Sequence, residues 1–379
     1  MKSNQKYYSP QFYSLNDITG EIEMKSKVYL IKKKENETDE SLAKRLHYHL
    51  KINDFFKFIK PKDFVAVKTH FGEKGSNGYV RPLYFKKISK LIKEKKAKPF
   101  LTETQTLYTG LRNNAVTHIE LAISHGFTYE QTGMPIIMAD GLLGDEEISV
   151  EIPGKIYKQV NIAGLLEKIQ SLVVISHFTG HIAAGFGATL KNLGMGLSSR
   201  KGKLTQHSTA KPNVKEKKCV GCGLCIKFCP SSAITMKENQ KASINSEKCI
   251  GCGECLAICR FDAIGYNWAE TYENLQRKIV EHAMGVHLLF KSKVFYITFL
   301  TRITKDCDCM SRFQPIVPDI GILLSEDPVA LDSASLYLIE TINGKKLNEL
   351  SYNIPYTVQL EHAKELKFGS TDYDLIELT

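Results

Sequence analysis

The sequence lacks any hydrophobic run long enough to cross a membrane, since no stretch of about 18 apolar residues occurs in it. Its first twenty residues, MKSNQKYYSPQFYSLNDITG, contain no apolar segment of the kind that a secretory signal carries. We find no helix-turn-helix or RNA-recognition signature, and basic and aromatic residues are only weakly interleaved. We therefore expect a cytoplasmic protein that binds neither a membrane nor nucleic acid.

Positive charge is in excess, because 51 lysine and arginine residues outnumber 41 acidic residues and leave a formal net charge of +10. Much of this charge lies in three basic runs, at residues 32–34, 90–98 and 215–218. Such runs can form a solvated basic face or a docking surface for an acidic redox partner of the ferredoxin or flavodoxin type. Both interpretations stay open at this point.

The length of 379 residues predicts two or three domains at roughly 150 residues each. Strand-like and helix-like segments alternate before residue 211 and again after residue 269, and the shorter strand candidates include PIIMADG at 135–141. This alternation predicts an α/β host domain with helices layered on a mostly parallel sheet. Residues 211–269 are turn-rich instead. We thus expect a host domain in two parts, 1–210 and 270–379, interrupted by a small α+β insert at 211–269.

Eight of the ten cysteines lie in two short clusters. The first is KCVGCGLCIKFCP at 218–230, and KCIGCGECLAICR repeats its pattern thirty positions later, at 248–260. Clustered C-x-x-C spacing without a secretory signal favours metal ligation over disulfides. A cubane [4Fe-4S] cluster, or cube, takes four thiolate ligands, one for each iron. Three closely spaced cysteines can surround one cube, whereas the fourth lies too far around the turn and reaches the other cube.

This spacing assigns the cysteines to two [4Fe-4S] clusters with crossed ligands. A zinc site or unligated thiols are the alternatives, although zinc sites usually separate their C-x-x-C pairs more widely. The insert resembles the two-cluster bacterial ferredoxins, except that Arg260 stands where their second run has proline. Because so short a segment has little apolar core, cluster binding would supply most of its folding energy. The expected ligands are Cys219, Cys222, Cys225 and Cys259 for the first cluster, and Cys249, Cys252, Cys255 and Cys229 for the second.

A second candidate site lies in SHFTGHIAAGFGATLKNLGMG, at residues 176–196. A buried strand leads to His177 and His181, and a glycine-rich turn then precedes Lys191 on a predicted helix. Backbone N–H groups at a helix start together with a lysine can bind phosphate or carboxylate. Histidine beside lysine suits proton transfer or metal ligation. The alternative is a packed turn in which the histidines only satisfy hydrogen bonds.

Taken whole, the chain resembles an uncharacterised family, "domain of unknown function 362", in its ferredoxin-containing form. The segments that carry the resemblance are KTHFGEKG (68–75), YVRP (79–82), TETQTLY (102–108), SHFTGH (176–181), GFGATLKNLGMG (185–196) and DPVALD (327–332). This resemblance covers most of the chain and implies a family but no reaction.

A more distant resemblance links HIAAGFGATLK to a segment of the nickel-pincer lactate racemases, although Gly187-Ala188-Thr189 replaces their S-G-G. It implies that His181 is a catalytic acid or base and that Lys191 holds an organic cofactor. It also implies that His207 occupies a metal-ligand position and that Arg81 binds substrate. We infer from it a related pocket rather than racemase activity.

Two further features have two interpretations each, and a third has one. His70, which follows a predicted strand, is either a pocket residue or a surface histidine. Cys307 and Cys309 could bind an additional metal with outside ligands or be two unligated thiols. Asp327 is the expected N-cap of a helix, with Pro328 in its first turn.

The combined expectation is an iron-sulfur oxidoreductase that transfers electrons between its two clusters and a pocket. We expect this pocket to bind a small anionic substrate, an anionic organic cofactor or an additional metal. His181 and Lys191 are the expected catalytic residues, and His70, Arg81, His177, Lys191 and His207 the expected cofactor-binding residues. The alternatives are a non-catalytic ferredoxin-like electron carrier and a racemase- or isomerase-like enzyme with accessory clusters.

Overall fold

The computed structural model describes residues 25–108, 110–207, 212–249, 253–265, 270–310 and 313–379. Within these ranges the chain forms a mixed α/β fold around a seven-stranded, mainly parallel sheet, as the sequence predicts. The strand order is β15-β1-β14-β13-β6-β2-β3. Only β14 runs against its neighbours, because it pairs antiparallel with both β1 and β13 while the other pairings are parallel.

The strands of this sheet are short and mostly apolar, and eight further strands form four separate pairs. The predicted strand at 135–141 is wrong: this segment makes only an isolated bridge, from Ile136 to Leu101 of β3. In chain order the strands are β1 (Ser26–Lys32), β2 (Phe64–Lys68), β3 (Lys98–Thr102), β4 (Glu147–Glu151), β5 (Gln159–Ala163), β6 (Ser171–His177), β7 (Thr179–His181), β8 (Gly185–Gly187), β9 (Asn213–Val214), β10 (Ile234–Met236), β11 (Ala242–Ile244), β12 (Ile264–Gly265), β13 (Val294–Leu300), β14 (Gly321–Ser325) and β15 (Tyr373–Glu377).

The longer helices begin where the sequence provides caps. Thr38 and Thr271 accept N–H groups of the first turns of α1 and α9. Among the described residues, no helix combines the length and apolar character that crossing a bilayer requires. The helices are α1 (Asp39–Ile52), α2 (Pro82–Glu94), α3 (Ala115–Ser124), α4 (Tyr129–Thr132), α5 (Thr189–Gly194), α6 (Arg200–His207), α7 (Leu224–Lys227), α8 (Glu254–Ile258), α9 (Tyr272–Phe290), α10 (Pro328–Asn343), α11 (Leu347–Leu350) and α12 (Val358–Glu365).

Both faces of the central sheet are covered by helices. Along β13, Phe295 and Ile297 join a core with α1 and α2, whereas Tyr296 and Leu300 join the opposite core with α5, α9 and α10. This alternation follows from the two-residue period of a strand. Burial on both faces explains why β6 and β13 are almost continuously apolar.

The described part of the insert stands apart from the central sheet. Strand β9 pairs antiparallel with β12, and β10 pairs antiparallel with β11. Its small core consists of three cysteines and four apolar residues: Cys219, Cys225, Cys255, Ile234, Ala242, Ala263 and Ile264. The ferredoxin-like identity of this segment and the predicted domain limits stay predictions.

The segment DPVALD begins α10 and also forms hydrogen bonds to α5 in the same layer. Asp327 accepts the N–H groups of Val329 and Ala330, so the predicted helix start is confirmed. Asp332 is fully buried, and its two oxygens accept the N–H groups of Thr189 and Leu190 at 2.9 and 2.8 Å. Asp332 therefore caps α5, the helix that carries Lys191.

We predict that Asp332→Asn removes a pH-dependent part of the protein's stability. Burial raises the pKa of Asp332 from 3.8 to about 7, although the backbone donors oppose the shift. Because the folded pKa lies above the unfolded pKa, this contribution is fully present below about pH 4 and is lost as pH rises through 7. The melting temperature of the wild type minus that of the variant should therefore fall between pH 5 and 8. A difference that is constant across this range would contradict the prediction.

Candidate active site

Four parallel strands, β3, β2, β6 and β13, end at the same edge of the sheet. A cavity of about 750 Å³ lies at this carboxyl edge, where open α/β sheets commonly bind ligands. The segments that follow these strands all contribute to its wall. The cavity brings together seven of the eight site residues predicted outside the insert, namely His70, His177, His181, Lys191, His207, Cys307 and Cys309.

His181 lies on a short hairpin in which β7 pairs antiparallel with β8. Its Nδ1 accepts the N–H groups of Ala183 and Ala184 at 3.1 and 2.9 Å. A neutral His181 ring consequently carries its proton on Nε2. Burial holds the pKa of His181 well below its ordinary value, and the charge of Lys191 lowers it further. The ring is therefore neutral near pH 7 and suited to hydrogen bonding rather than to ion pairing.

Lys191 reaches the cavity from the first turn of α5. Within the described part of the chain, its ammonium group has no hydrogen-bond or ion-pair partner. A Cβ atom at Gly187 would lie 3.3 Å from Cδ of Lys191, so a glycine there lets the lysine side chain pass close to the backbone. An uncommitted ammonium group in a partly enclosed cavity is available to an anionic ligand.

Asn192, next to Lys191, fixes α5 against the sheet. Its Nδ2 donates to the carbonyl oxygen of Ile175 and to Oγ of Ser176, both 3.0 Å away, at the end of β6. Its Oδ1 accepts from the ammonium group of Lys68 at 2.7 Å. These bonds hold the backbone that positions Lys191.

Lys68 and Glu103 form a buried ion pair on the cavity wall, with 2.6 Å between Nζ and Oε1. Burial lowers the pKa of Lys68, and the charge of Glu103 opposes this shift. Lys68 is the last residue of β2, and Glu103 directly follows β3. Sequence reasoning did not select them, although both lie in segments that carry the family resemblance.

Helix α6 supplies two more cavity residues, Lys203 and His207. Lys203 donates to Oγ1 of Thr104 at 2.5 Å and to the carbonyl oxygen of Ser198 at 2.9 Å. Burial lowers the pKa of Lys203 to about 8 against the opposing charge of Asp140. Burial also lowers the pKa of His207 to about 3, and the charge of Lys191 adds to this shift.

Cys309 lies beside His70 and Arg112. Sγ of Cys309 is 3.3 Å from Nε2 of His70, and Nη1 of Arg112 is 2.8 Å from the same nitrogen. A hydrogen bond from Cys307 is the main cause that holds the pKa of Cys309 well below its ordinary value, and the charges of His70 and Arg112 add to it despite burial. The same hydrogen bond, with burial, raises the pKa of Cys307 well above its ordinary value. Negative charge is therefore more favourable on Cys309 than on Cys307.

Arg112 is a cavity residue that the sequence did not reveal. It is 2% exposed, and its Nε donates to Oε2 of Glu73 at 3.1 Å. It also donates to the hydroxyl group of Tyr108. It follows β3 in a loop that has no distinctive sequence pattern, so only its burial beside His70 marks it as part of the site.

His177 holds a turn at the edge of the cavity by hydrogen bonds. Its Nδ1 lies 2.8 Å from Oδ2 of Asp308, and its Nε2 lies 2.9 Å from the carbonyl oxygen of Thr301. Burial alone would lower the pKa of His177, but Asp308 raises it above its ordinary value. Since both ring nitrogens face acceptors, His177 holds Asp308 and with it the turn that carries Cys307 and Cys309.

Arg81 does not line the cavity. It precedes α2, where its guanidinium group donates to the backbone oxygen of Asn77 at 3.0 Å and to Oδ1 of Asn77 at 2.7 Å. The same group lies over the ring of Tyr79, 5.1 Å from its centre. The substrate-binding role that the racemase resemblance implies for Arg81 has no support from this position.

The described cysteines of the insert form a second, smaller site. Cys219, Cys222 and Cys225 of the first run line one narrow cavity together with Cys259 of the second run. Burial raises the pKa of Cys225, and the negative charges of Cys222, Cys219 and Cys259 raise it further, because the four sulfurs are close together. These are the four residues that the spacing assigns to one cluster. For the other set, Cys252 lies outside the described residues.

The two cysteine runs repeat each other in structure. Gly223 and Gly253 precede α7 and α8 with φ of 74° and 79°, in the left-handed region that favours glycine. The amides of Ala233 and Ala263 donate to Sγ of Cys229 and Cys259 at 3.2 and 3.4 Å. Amide donors to sulfur stabilise thiolate ligands and tune their potential.

Nowhere in the described ranges do three or more His, Cys, Asp or Glu side chains converge closely enough to hold a single metal ion. A [4Fe-4S] cluster does not need ligands that converge on one ion, because each of its four thiolates binds a different iron. The four sulfurs therefore surround a volume instead of meeting at one point. The additional metal expected at Cys307 and Cys309 stays a prediction.

Comparisons with known proteins give a family and distant structural relatives. The family described as "Domain of unknown function (DUF362)" matches residues 65–337. No curated protein matches the chain. The lactate racemase apoprotein from Thermoanaerobacterium thermosaccharolyticum is 11% identical, with a TM-score of 0.38 over 73% of this chain and 51% of that one. A crystal structure of a protein from Thermotoga maritima is 12% identical, with a TM-score of 0.35 over 69% and 50%. The chain spans about half the length of each.

Proposed function

Because the chain belongs to the domain of unknown function 362 family, whose description names no reaction, we propose its function from its two sites. We propose that the protein is an iron-sulfur oxidoreductase. In this proposal, electrons pass between two [4Fe-4S] clusters in the insert and a small anionic substrate or cofactor in the large cavity. An acidic redox partner of the ferredoxin or flavodoxin type exchanges electrons with the clusters.

The observation that carries the proposal is the position of α6 between the two sites. At its end, α6 supplies Lys203 and His207 to the large cavity. On its side, it meets the second cysteine loop, where a Cβ atom at Gly253 would lie 2.9 Å from Cδ2 of Leu204. The ligands Cys252 and Cys255 flank Gly253 in the sequence. The second cluster would therefore lie beside the helix that lines the cavity.

The number and spacing of the eight cysteines support two cubes. Cys219, Cys222, Cys225 and Cys259 would hold the first, and Cys249, Cys252, Cys255 and Cys229 the second. When bound, the clusters would supply one-electron transfer steps. The amides of Ala233 and Ala263 already point at two of the sulfurs, as expected for groups that support thiolate ligands.

The chain's own cavity residues would bind and orient the substrate. Lys191 offers an uncommitted positive charge, and the nearby Nε2–H of a neutral His181 can donate a hydrogen bond. Arg112 is held by Glu73 and Tyr108, so its guanidinium group has a fixed direction. Fixed donors around one lysine favour a small carboxylate or phosphate over a neutral molecule.

The test is purification without oxygen, followed by iron analysis and electron-spin spectroscopy after dithionite reduction. We expect about eight irons per chain and a spin signal from reduced clusters. Mass spectrometry of the same sample should detect a small anionic compound that leaves when Lys191 is replaced by alanine. Far fewer than eight irons, or no spin signal, would refute the proposal.

A further comparison separates this function from the two alternatives. If the clusters remain but Lys191→Ala and His181→Ala both leave every electron transfer unchanged, the protein is an electron carrier without catalysis. Nickel, or a covalent adduct on Lys191, would instead favour a racemase- or isomerase-like enzyme.

A further inference from the structure

Two thiols share one turn on the wall of the large cavity. Cys307 and Cys309 follow β13, and the amide of Met310 donates to the carbonyl oxygen of Cys307 at 2.9 Å, which closes the turn. The two thiols act on each other, because Cys307 lowers the pKa of Cys309 while Cys309 raises that of Cys307. Both are partly exposed and line the cavity, so a small molecule can reach them.

The groups around Cys309 favour a negative sulfur. The amide of Gly72 donates to Nδ1 of His70 at 2.9 Å. Nε2 of the same ring lies 3.3 Å from Sγ of Cys309. The guanidinium group of Arg112 lies on the same side of the ring, 2.8 Å from Nε2. A nucleophilic sulfur beside an oriented histidine is the arrangement that activates cysteines.

We propose that Cys307 and Cys309 form a redox-active dithiol that reduces a small anionic disulfide in the cavity. Sγ of Cys309 attacks one sulfur of the substrate, the substrate's S–S bond breaks, and one thiolate leaves and takes up a proton. Cys307 then loses its proton and attacks Sγ of Cys309, which forms the Cys307–Cys309 disulfide and releases the second thiolate. The substrate gains two electrons, and the cysteine pair loses two.

The short spacing of the pair suits a catalytic disulfide better than a structural one. A bridge between cysteines one residue apart closes a very small loop, so it removes little chain entropy and adds little stability. Strained bridges of this kind have more oxidising potentials and are reduced easily. The Cys307–Cys309 disulfide must be reduced again after every turnover, so an easily reduced bridge suits this role.

The anionic class of the substrate follows from the charges that face the thiols. Lys191 lines the same cavity without a partner in the described ranges, and its charge acts on Cys307. A carboxylate on the substrate would bind this lysine while its disulfide faces Cys309. The re-reduction of the pair by the clusters rests on the proposed function, whereas the exchange with a disulfide does not.

The experiment compares two disulfides of opposite charge on anaerobically purified full-length protein. The probes are 3,3′-dithiodipropionate, which is anionic, and cystamine, which is cationic. After reaction, free thiols are alkylated and the protein is digested with trypsin, which places both cysteines in one peptide, residues 306–312. We expect this peptide to lose two hydrogens, about tenfold faster with the anionic probe. In Cys307→Ser, the anionic probe should stay attached to Cys309.

Each outcome has a defined meaning. A pair that remains fully alkylatable with both probes overturns the proposal, and so does attachment to Cys307 instead of Cys309 in the matched single variants. Equal rates for the two probes, unchanged by Lys191→Ala, overturn the anionic substrate class. Iron content is measured on the same sample, so a dithiol that reacts in iron-free protein separates failure of the proposed function from failure of this inference.

Discussion

Replacing Cys259 by alanine is expected to reduce the iron content from about eight to about four per chain, as is replacing Cys225. The double variant of Cys225 and Cys259 should lose no more iron than either single variant, because the proposed assignment places both thiolates on one cluster. The double variant of Cys229 and Cys259 should lose almost all iron. The reason is the crossed arrangement in which Cys259 lines the cavity of Cys219, Cys222 and Cys225.

The measurement is iron per chain after anaerobic purification, with Cys307→Ser as a control that keeps all eight cluster cysteines. If the clusters took their ligands locally, Cys225 and Cys229 would behave as the pair that removes one cluster. Additive loss in the Cys225 and Cys259 double variant would contradict the crossed assignment. The insert should also become protease-sensitive in these variants, because three of the seven buried residues of its small core are cysteines.

Replacing Lys191 by alanine should weaken the binding of small anions by about tenfold to a hundredfold. A hydrogen bond to a charged group contributes roughly 1.5–3 kcal/mol, and each 1.4 kcal/mol corresponds to a factor of ten in affinity. Titration calorimetry with oxalate and inorganic phosphate would measure the change. Lys191→Arg should retain part of the affinity, because the positive charge remains but its geometry changes.

The matched control is Lys90→Ala. Lys90 carries the same charge, but it is exposed on α2, on the opposite face of the sheet from α5. If both variants lose the same affinity relative to the wild type, net charge and not the cavity determines anion binding. If Lys191→Ala binds as tightly as the wild type, Lys191 is not the anion-binding residue.

Much of the architecture follows from local patterns in the sequence. Apolar strands and capped helices predict the α/β layers, and Asp327 marks a helix start that the structure confirms. The segment 135–141 is not a strand, because it makes a single bridge to Leu101 of β3 and, beyond the end of β3, one further backbone hydrogen bond, from Ala139 to Glu103. A hydrophobic run reports burial, and burial does not require a strand.

The site was predictable only in part. Histidines and Lys191 stand out beside glycines, so they could be selected from the sequence. Arg112 and Lys203 could not, because nothing in their neighbourhood shows that they will be buried against His70 or Thr104. Asp332 shows the same limit, since its hydrogen bonds to α5 join residues far apart in the chain. Long-range contacts of this kind are set by the fold.

The pairing of β6 with β13 has a consequence for how the protein is made. These strands are neighbours at the middle of the sheet, yet β6 ends at His177 and β13 begins at Val294, with the whole insert between them. During synthesis, the ribosome must release the insert before the central seam of the sheet can close, and such distant pairings form slowly. If the insert folds around the proposed clusters, a nascent chain starved of iron would keep an unfolded segment between β6 and β13. Iron supply during growth should therefore govern the yield of the entire folded chain.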